Sequence, residues 1–224
     1  MTRIAVLGAG HVGANLARLL AAAGHQVTIS FARDKDRLAR TARELGVTAA
    51  RPAEAVASAE VTVLSVPWAA VDDALGAVGG PEALAGLMVL DTTNQFGLVE
   101  GRFGVLDLGV SSAAACNAAK APAARWVKAF NTLTADFQAT AAGRTGPDRV
   151  AMFYGCATED LAPQAETLIT DAGFVPVPTG TLARNDVGHQ EPKGELYGEE
   201  FHRDNALALA SRLRGTPPSG TGRP

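Results

Sequence analysis

The chain has 224 residues, of which 47% are hydrophobic and 19% charged, with a formal net charge of -3. That length suits one large α/β domain, or such a domain with a small appendage. The interspersed charge argues against nucleic acid or an anionic membrane as partner, and no segment approaches a transmembrane span. Cys116 and Cys156 stand far apart and read as reduced thiols, no metal site is expected, and the N-terminus shows no basic stretch or cleavage site. A cytoplasmic protein is therefore expected.

Residues Thr2 to Arg33 form the first predicted unit. Ile4 to Leu7 is continuously apolar, as befits a parallel strand covered on both faces. It runs into Gly8-Ala9-Gly10-His11-Val12-Gly13, a G-x-G-x-x-G turn. In such a turn the first glycine permits the tight bend, the second lets backbone approach a pyrophosphate, and the third lets the helix pack closely. The helix predicted over Val12 to Ala23, stopped by Gly24, would aim unpaired N–H groups at those phosphates. A glycine turn alone is a weak signal. Here a strand precedes it, a helix follows, and a second strand over Val27 to Ser30 completes the dinucleotide-binding context.

Where an NAD-binding chain places Asp or Glu, this one has Ser30, with Arg33, Lys35 and Arg37 just beyond. A hydroxyl and a guanidinium can hold a ribose 2′-phosphate that a carboxylate would repel, so NADP(H) is expected. The same run contains Asp34 and Asp36, and would also serve as an ordinary solvated helix start.

Further along, helix Lys35 to Leu45, a short strand Val47 to Ala50 and a short helix Pro52 to Ala57 are predicted. Strand Val61 to Val66 is stopped by Pro67, and helix Trp68 to Val78 follows. Strand Leu87 to Asp91 ends in Thr92-Thr93-Asn94, and Gln95 to Gly109 reads as irregular. A helix capped by Ser111 or Ser112 runs to Lys120, strand Trp126 to Phe130 leads into Asn131-Thr132, and a short helix covers Ala135 to Ala142. Strand Val150 to Gly155, helix Glu159 to Ala172 and strand Phe174 to Val177 close the alternation, and a helix is predicted near Asp204 to Arg214. Alternating strands and helices predict an α/β fold with a Rossmann-type, doubly wound, mostly parallel sheet. The expected division is a nucleotide-binding domain over 1–180, a small cap over 181–214 and a disordered Gly/Pro-rich tail over 215–224.

Ligands of such a sheet lie beyond the carboxyl ends of its strands. Ser65-Val66-Pro67-Trp68, Thr92-Thr93-Asn94 and Phe130-Asn131-Thr132 stand there. Asn94 and Asn131 read as ligand contacts or as turn caps, while Pro67 and Trp68 taken singly read as strand stop and core anchor. Gly188 to Tyr197 crowds His189, Glu191, Lys193, Glu195 and Tyr197 into ten residues. Reducing a carbonyl or imine needs a proton as well as a hydride, so His189, Lys193 and Tyr197 are candidate catalytic donors, with Glu191 orienting the substrate.

GAGHVG, the Ser30/Arg33 pair, SVPW, LDTTN, VKAFNT and the late GELYG together resemble the NADP-dependent oxidoreductase family typified by F420H2:NADP oxidoreductase, from Arg3 to Phe201. The resemblance implies hydride transfer between NADP(H) and the deazaflavin coenzyme F420, commonly in a homodimer. It implies that Gly8, Gly10, His11, Val12 and Gly13 hold the pyrophosphate and that Ser30 and Arg33 hold the 2′-phosphate. Ser65, Val66, Pro67, Thr92, Asn94 and Asn131 would face the nicotinamide half, and Gly194-Glu195-Leu196 would lie by the two rings. Where the family carries an apolar helix before G-E-L, this chain has the polar stretch Ala183 to Lys193. A biosynthetic reductase of a small imine or carbonyl metabolite, and a non-enzymatic NADP(H) sensor, are the alternatives.

Overall fold

The structure, a computed structural model, describes residues 1–30 and 34–219. Its frame is an eight-stranded sheet with α-helices on both faces. The strands are β1 (Arg3–Leu7), β2 (Gln26–Ser30), β3 (Thr48–Ala49), β4 (Val61–Leu64), β5 (Met88–Asp91), β8 (Arg125–Ala129), β9 (Ala151–Cys156) and β10 (Val175–Thr181). They lie in the order β10-β9-β8-β5-β4-β1-β2-β3. Every neighbouring pair is parallel except β8 and β9. The run β3-β2-β1-β4-β5-β8 is the strand order of a Rossmann-type sheet, with its switch point between β1 and β4.

The apolar runs become central strands because both of their faces are covered. All four residues of β4 and all six of β9 are buried. One face packs on α1 (His11–Ala22), where Gly13, Leu16, Ala17 and Leu20 are buried at helical spacing. α6 (Ala135–Ala141) and α7 (Ala162–Asp171) continue that layer. The other face is covered by α3 (Pro52–Ala57), α4 (Val71–Ala77) and α5 (Ala113–Lys120) around Leu7, Leu64 and Trp126. α2 (Lys35–Leu45) closes the β2–β3 connection. No helix among the described residues is long and apolar enough to cross a membrane.

One expectation needs correction, and two others meet the structure differently. Gln95 to Gly109 contains a hairpin of β6 (Phe96–Val99) and β7 (Arg102–Val105). Its two-residue turn places both Glu100 (φ 50) and Gly101 (φ 78) in the left-handed region. Asn-Gly would announce such a turn in a sequence, and Glu-Gly does not. The boundary expected at residue 180 falls inside β10, and α9 (Arg203–Leu213) lays Ala206 and Ala210 against Phe153 and Val177. The cap therefore extends the helical layer of the same sheet. Of the tail expected over 215–224, residues 220–224 lie outside the described residues, and 215–219 are hydrogen-bonded to the loop before them. Gly215 N–H donates to Asp186 Oδ1 (3.2 Å), and the Ser219 N–H (2.7 Å) and hydroxyl donate to Glu195 Oε1.

Candidate active site

At the switch point the chain leaves β1 through the glycine turn. Gly8 (φ 108) bends into Ser65, and a methyl group on it would strike the Ser65 carbonyl. A methyl on Gly13 would strike the Gly8 carbonyl, so this glycine seats the helix on the turn itself. At Gly10 a methyl would meet no protein atom within 4 Å. Gly10 is also the N-cap of α1 and supplies no side-chain cap, so the first-turn N–H groups face open space. Of the three glycines, Gly10 alone opens on room for a ligand, and the turn fits a pyrophosphate.

Two cavities flank that turn. One, of about 400 Å³, lies between Gly8-Ala9-Gly10, Ser65-Val66-Pro67 and the start of α2, where Asp34, Arg37 and Thr41 line it. Asp34 Oδ1 accepts from the N–H groups of Asp36 (2.9 Å) and Arg37 (3.0 Å), and the Arg37 amide above all holds its carboxyl below the usual range. Ser30 is buried, and its hydroxyl donates to the Ala50 carbonyl at 2.6 Å. It closes the β2–β3 edge instead of facing the cavity. Arg33 and the Lys35 side chain lie outside the described residues. Arg37, named in the sequence only within the run beyond Ser30, and Thr41, which carries no signal there, are thus the other polar side chains that line this cavity.

The other cavity, of about 550 Å³, is walled by Gly10, His11 and Val12 on one side and by Ser65 to Trp68, Thr92 and Asn94 on another. Phe130 to Thr134, Tyr197 and the hairpin aromatics Phe96 and Phe103 complete it. Phe96 stacks on Phe103 at 5.5 Å, and Tyr197 meets Phe96 edge-on at 6.5 Å. At its floor, the ends of β5 and β8 are locked together. Asn94 Nδ2 donates to the Asn131 carbonyl (2.9 Å), and Asn131 Nδ2 donates to Asn94 Oδ1 (3.0 Å) and to the Gln190 carbonyl (2.7 Å). Phe130 takes φ 58, an uncommon conformation for a large side chain, to turn Asn131 beneath this floor.

The polar stretch Gly188 to Tyr197 scatters instead of converging. His189 is 1% exposed, with Nδ1 at 2.5 Å from Glu195 Oε2 and Nε2 at 2.8 Å from the Thr216 carbonyl. Glu195 lies low, at about 2: burial pushes it up, and hydrogen bonds from Ser219 and His189 outweigh that. Glu191 is also buried and accepts the N–H groups of Ala113 (3.0 Å) and Ala114 (3.1 Å) at the start of α5. Burial raises its carboxyl above the usual range, against the nearby Lys128 ammonium. Lys193 is exposed beside a different cavity, Gly194 packs on the Gly188 and His189 carbonyls, and Leu196 is core. Of the three candidate donors, only Tyr197 lines the aromatic cavity. Burial raises its phenol, which keeps it protonated at neutral pH. The polar wall expected from the sequence is an aromatic one.

Residues 3–95 match the family model described as NADP oxidoreductase, coenzyme F420-dependent. Among solved structures, the chain resembles a candidate F420-dependent NADP reductase from Arthrobacter sp. FB24, with 28% identity and a TM-score of 0.71 over 81% of this chain and 86% of that one. It also resembles the hypothetical protein SMa0349 from Sinorhizobium meliloti, with 29% identity and a TM-score of 0.76 over 91% and 97%. A reductive aminase from Aspergillus terreus, solved with NADPH and ethyl levulinate, shares the fold at 22% identity and a TM-score of 0.62, over 85% of this chain and 59% of that one. No curated protein matches the chain.

Proposed function

We propose that this chain, which resembles the coenzyme F420-dependent NADP oxidoreductases over residues 3–95, passes a hydride between NADP(H) and a flat heterocyclic acceptor, the deazaflavin coenzyme F420 first among them. The aromatic cavity carries the reading. It adjoins the glycine turn and offers mainly apolar surface, with Trp68, Phe96, Phe103 and Phe130 as faces for a flat ring and Thr92, Asn94 and Thr132 as polar groups for its edge. NADP(H), when bound, supplies the hydride; the protein's part is to hold the partners and exclude water. Gly10 and the first turn of α1 would take the pyrophosphate. His11, Val12, Val66 and Pro67 would bound the nicotinamide half, with the Asn94–Asn131 pair fixing its floor. Arg37 and Thr41 would take the 2′-phosphate, with the Arg37 guanidinium set against the charge of Asp34, which caps α2 through Oδ1.

A second reading, reduction of an imine or carbonyl, draws on the Tyr197 phenol. Among the described residues it has no hydrogen-bond partner, and its raised position keeps it a donor. NADPH oxidation by the purified protein, with F420 and with a panel of cyclic imines and ketones, separates the two. Tyr197→Phe is expected to lower turnover by roughly 10²–10⁴ with imines or ketones and to change the F420 reaction little. Failure of the wild type to oxidise NADPH with any of these acceptors would overturn both readings.

A further inference from the structure

A third cavity, of about 360 Å³, lies behind the wall of the aromatic one and shares none of its lining residues. It sits between the β7–α5 connection, the 188–194 loop and the C-terminal tail. Its charges look balanced, with Arg184 and Lys193 against Asp107 and Glu191. Their remaining hydrogen-bonding capacity is not balanced. Asp107 Oδ1 accepts the Gly109 N–H at 2.9 Å and its Oδ2 stays free, while both oxygens of the buried Glu191 accept a helix N–H. Arg184 spends one N–H, from Nη1, on the Ser111 carbonyl (2.8 Å), which leaves four of its five donors. Lys193 has no ion pair among the described residues and keeps three donors more.

Two further observations point to a ligand. Gln95 is only 5% exposed and lines this cavity, yet its Oε1 has no hydrogen-bond partner among the described residues. The donor that this side chain offers a guest is its amide NH2, which likewise has no hydrogen-bond partner among the described residues. Lys193 is also held at φ 74, a conformation that a non-glycine residue adopts rarely and at a cost. Spare donors around a cavity of this size call for an acceptor-rich guest. We propose that this cavity binds a small organic anion carrying carboxylate or phosphate groups, held by Arg184, Lys193 and Gln95 and enclosed by Pro218 of the tail.

Gln95 stands between Asn94 and Phe96, which both line the aromatic cavity. A guest on Gln95 would therefore press on the hairpin that carries Phe96 and Phe103. The site stands apart from the hydride-transfer reading, since it needs neither cofactor nor acceptor.

Calorimetric titration of the full chain with malonate, citrate and inorganic phosphate, each with and without saturating NADPH, tests it. One saturable site that persists with NADPH is expected. Lys193→Ala should weaken it about ten- to a hundredfold, the worth of one charge-assisted contact, with NADPH affinity unchanged. Arg184→Ala is expected to act alike, but it also loosens α8 (Arg184–Val187) from Ser111, so Lys193→Ala is the deciding variant. Absence of saturable binding, binding abolished by NADPH, or equal affinity in Lys193→Ala would each overturn the proposal. The second of these would assign the anion to the glycine turn.

Discussion

Gly10 and Gly13 differ in what surrounds them, although the motif treats them alike. Around Gly10 there is no protein atom to meet, so Gly10→Ala is expected to fold with an unchanged melting temperature while NADPH and NADH bind more weakly to the same degree. Around Gly13 the obstacle is backbone, which cannot swing aside, so Gly13→Ala should cost about 1–3 kcal/mol of stability by overpacking. Thermal melts with cofactor titrations on both variants check the pair. On the cofactor side, Arg37→Ala is expected to weaken NADPH roughly ten- to a hundredfold and to leave NADH nearly unchanged. Equal loss for both would remove Arg37 from the 2′-phosphate. Ser30 and His189 are the residues whose type suggested chemistry and whose surroundings use it up, one in a sheet edge and the other between Glu195 and the tail.

Strands β5 and β8 owe their joint end to a buried charge cluster. Lys128 and Asp91 pair at 3.2 Å with side chains 0% and 1% exposed, and Lys128 also donates to the Thr93 carbonyl. Asn117 Nδ2 bridges Asp91 (3.1 Å) and Thr93 Oγ1 (3.0 Å). Removing one partner leaves the other charge in the interior, so Lys128→Ala should lose about 3–5 kcal/mol in a urea denaturation. A loss under 1 kcal/mol would mean that water reaches the cluster. The β6–β7 hairpin is the opposite kind of element. Phe103 is 77% exposed, so Phe103→Ala should leave stability within about 0.5 kcal/mol while raising the KM for a flat acceptor. An unchanged KM would take the hairpin out of the acceptor wall.

Across the whole molecule, the last described residues strap the 188–197 loop to the sheet. Two carboxylates hold them. Glu195 receives Ser219 and Asp186 receives Gly215; burial raises both carboxyls, but hydrogen bonds from Ser219 and His189 to Glu195, and from Thr181 ahead of Gly215 to Asp186, bring them below their ordinary range. A depressed carboxyl stabilises above its ordinary value and loses that contribution as pH falls through the folded one. The strap should therefore hold above pH 4.5 and release toward pH 2, seen as faster proteolysis or amide exchange of Gly215 and Ser219. Glu195→Gln should show the fast rate already at pH 7; a pH-independent rate would show that these carboxylates do not hold it. The sheet itself was legible in the chain. β1, β4, β5, β8 and β9 are apolar runs closed by glycine, proline or small polar residues, and the glycine turn carries its own geometry in three residues. These are local signals, since burial on both faces and left-handed backbone each leave a mark on neighbouring residues. The site's polar partners leave no such mark. Glu191 finds Ala113 and Ala114 across 78 and 77 positions, His189 finds Thr216 across 27, and the aromatic wall comes from a hairpin that hides no face and so shows no period of two. Residue types and spacing named the cofactor turn; which polar groups stay free for chemistry was decided only when the chain closed on itself and their hydrogen bonds were assigned.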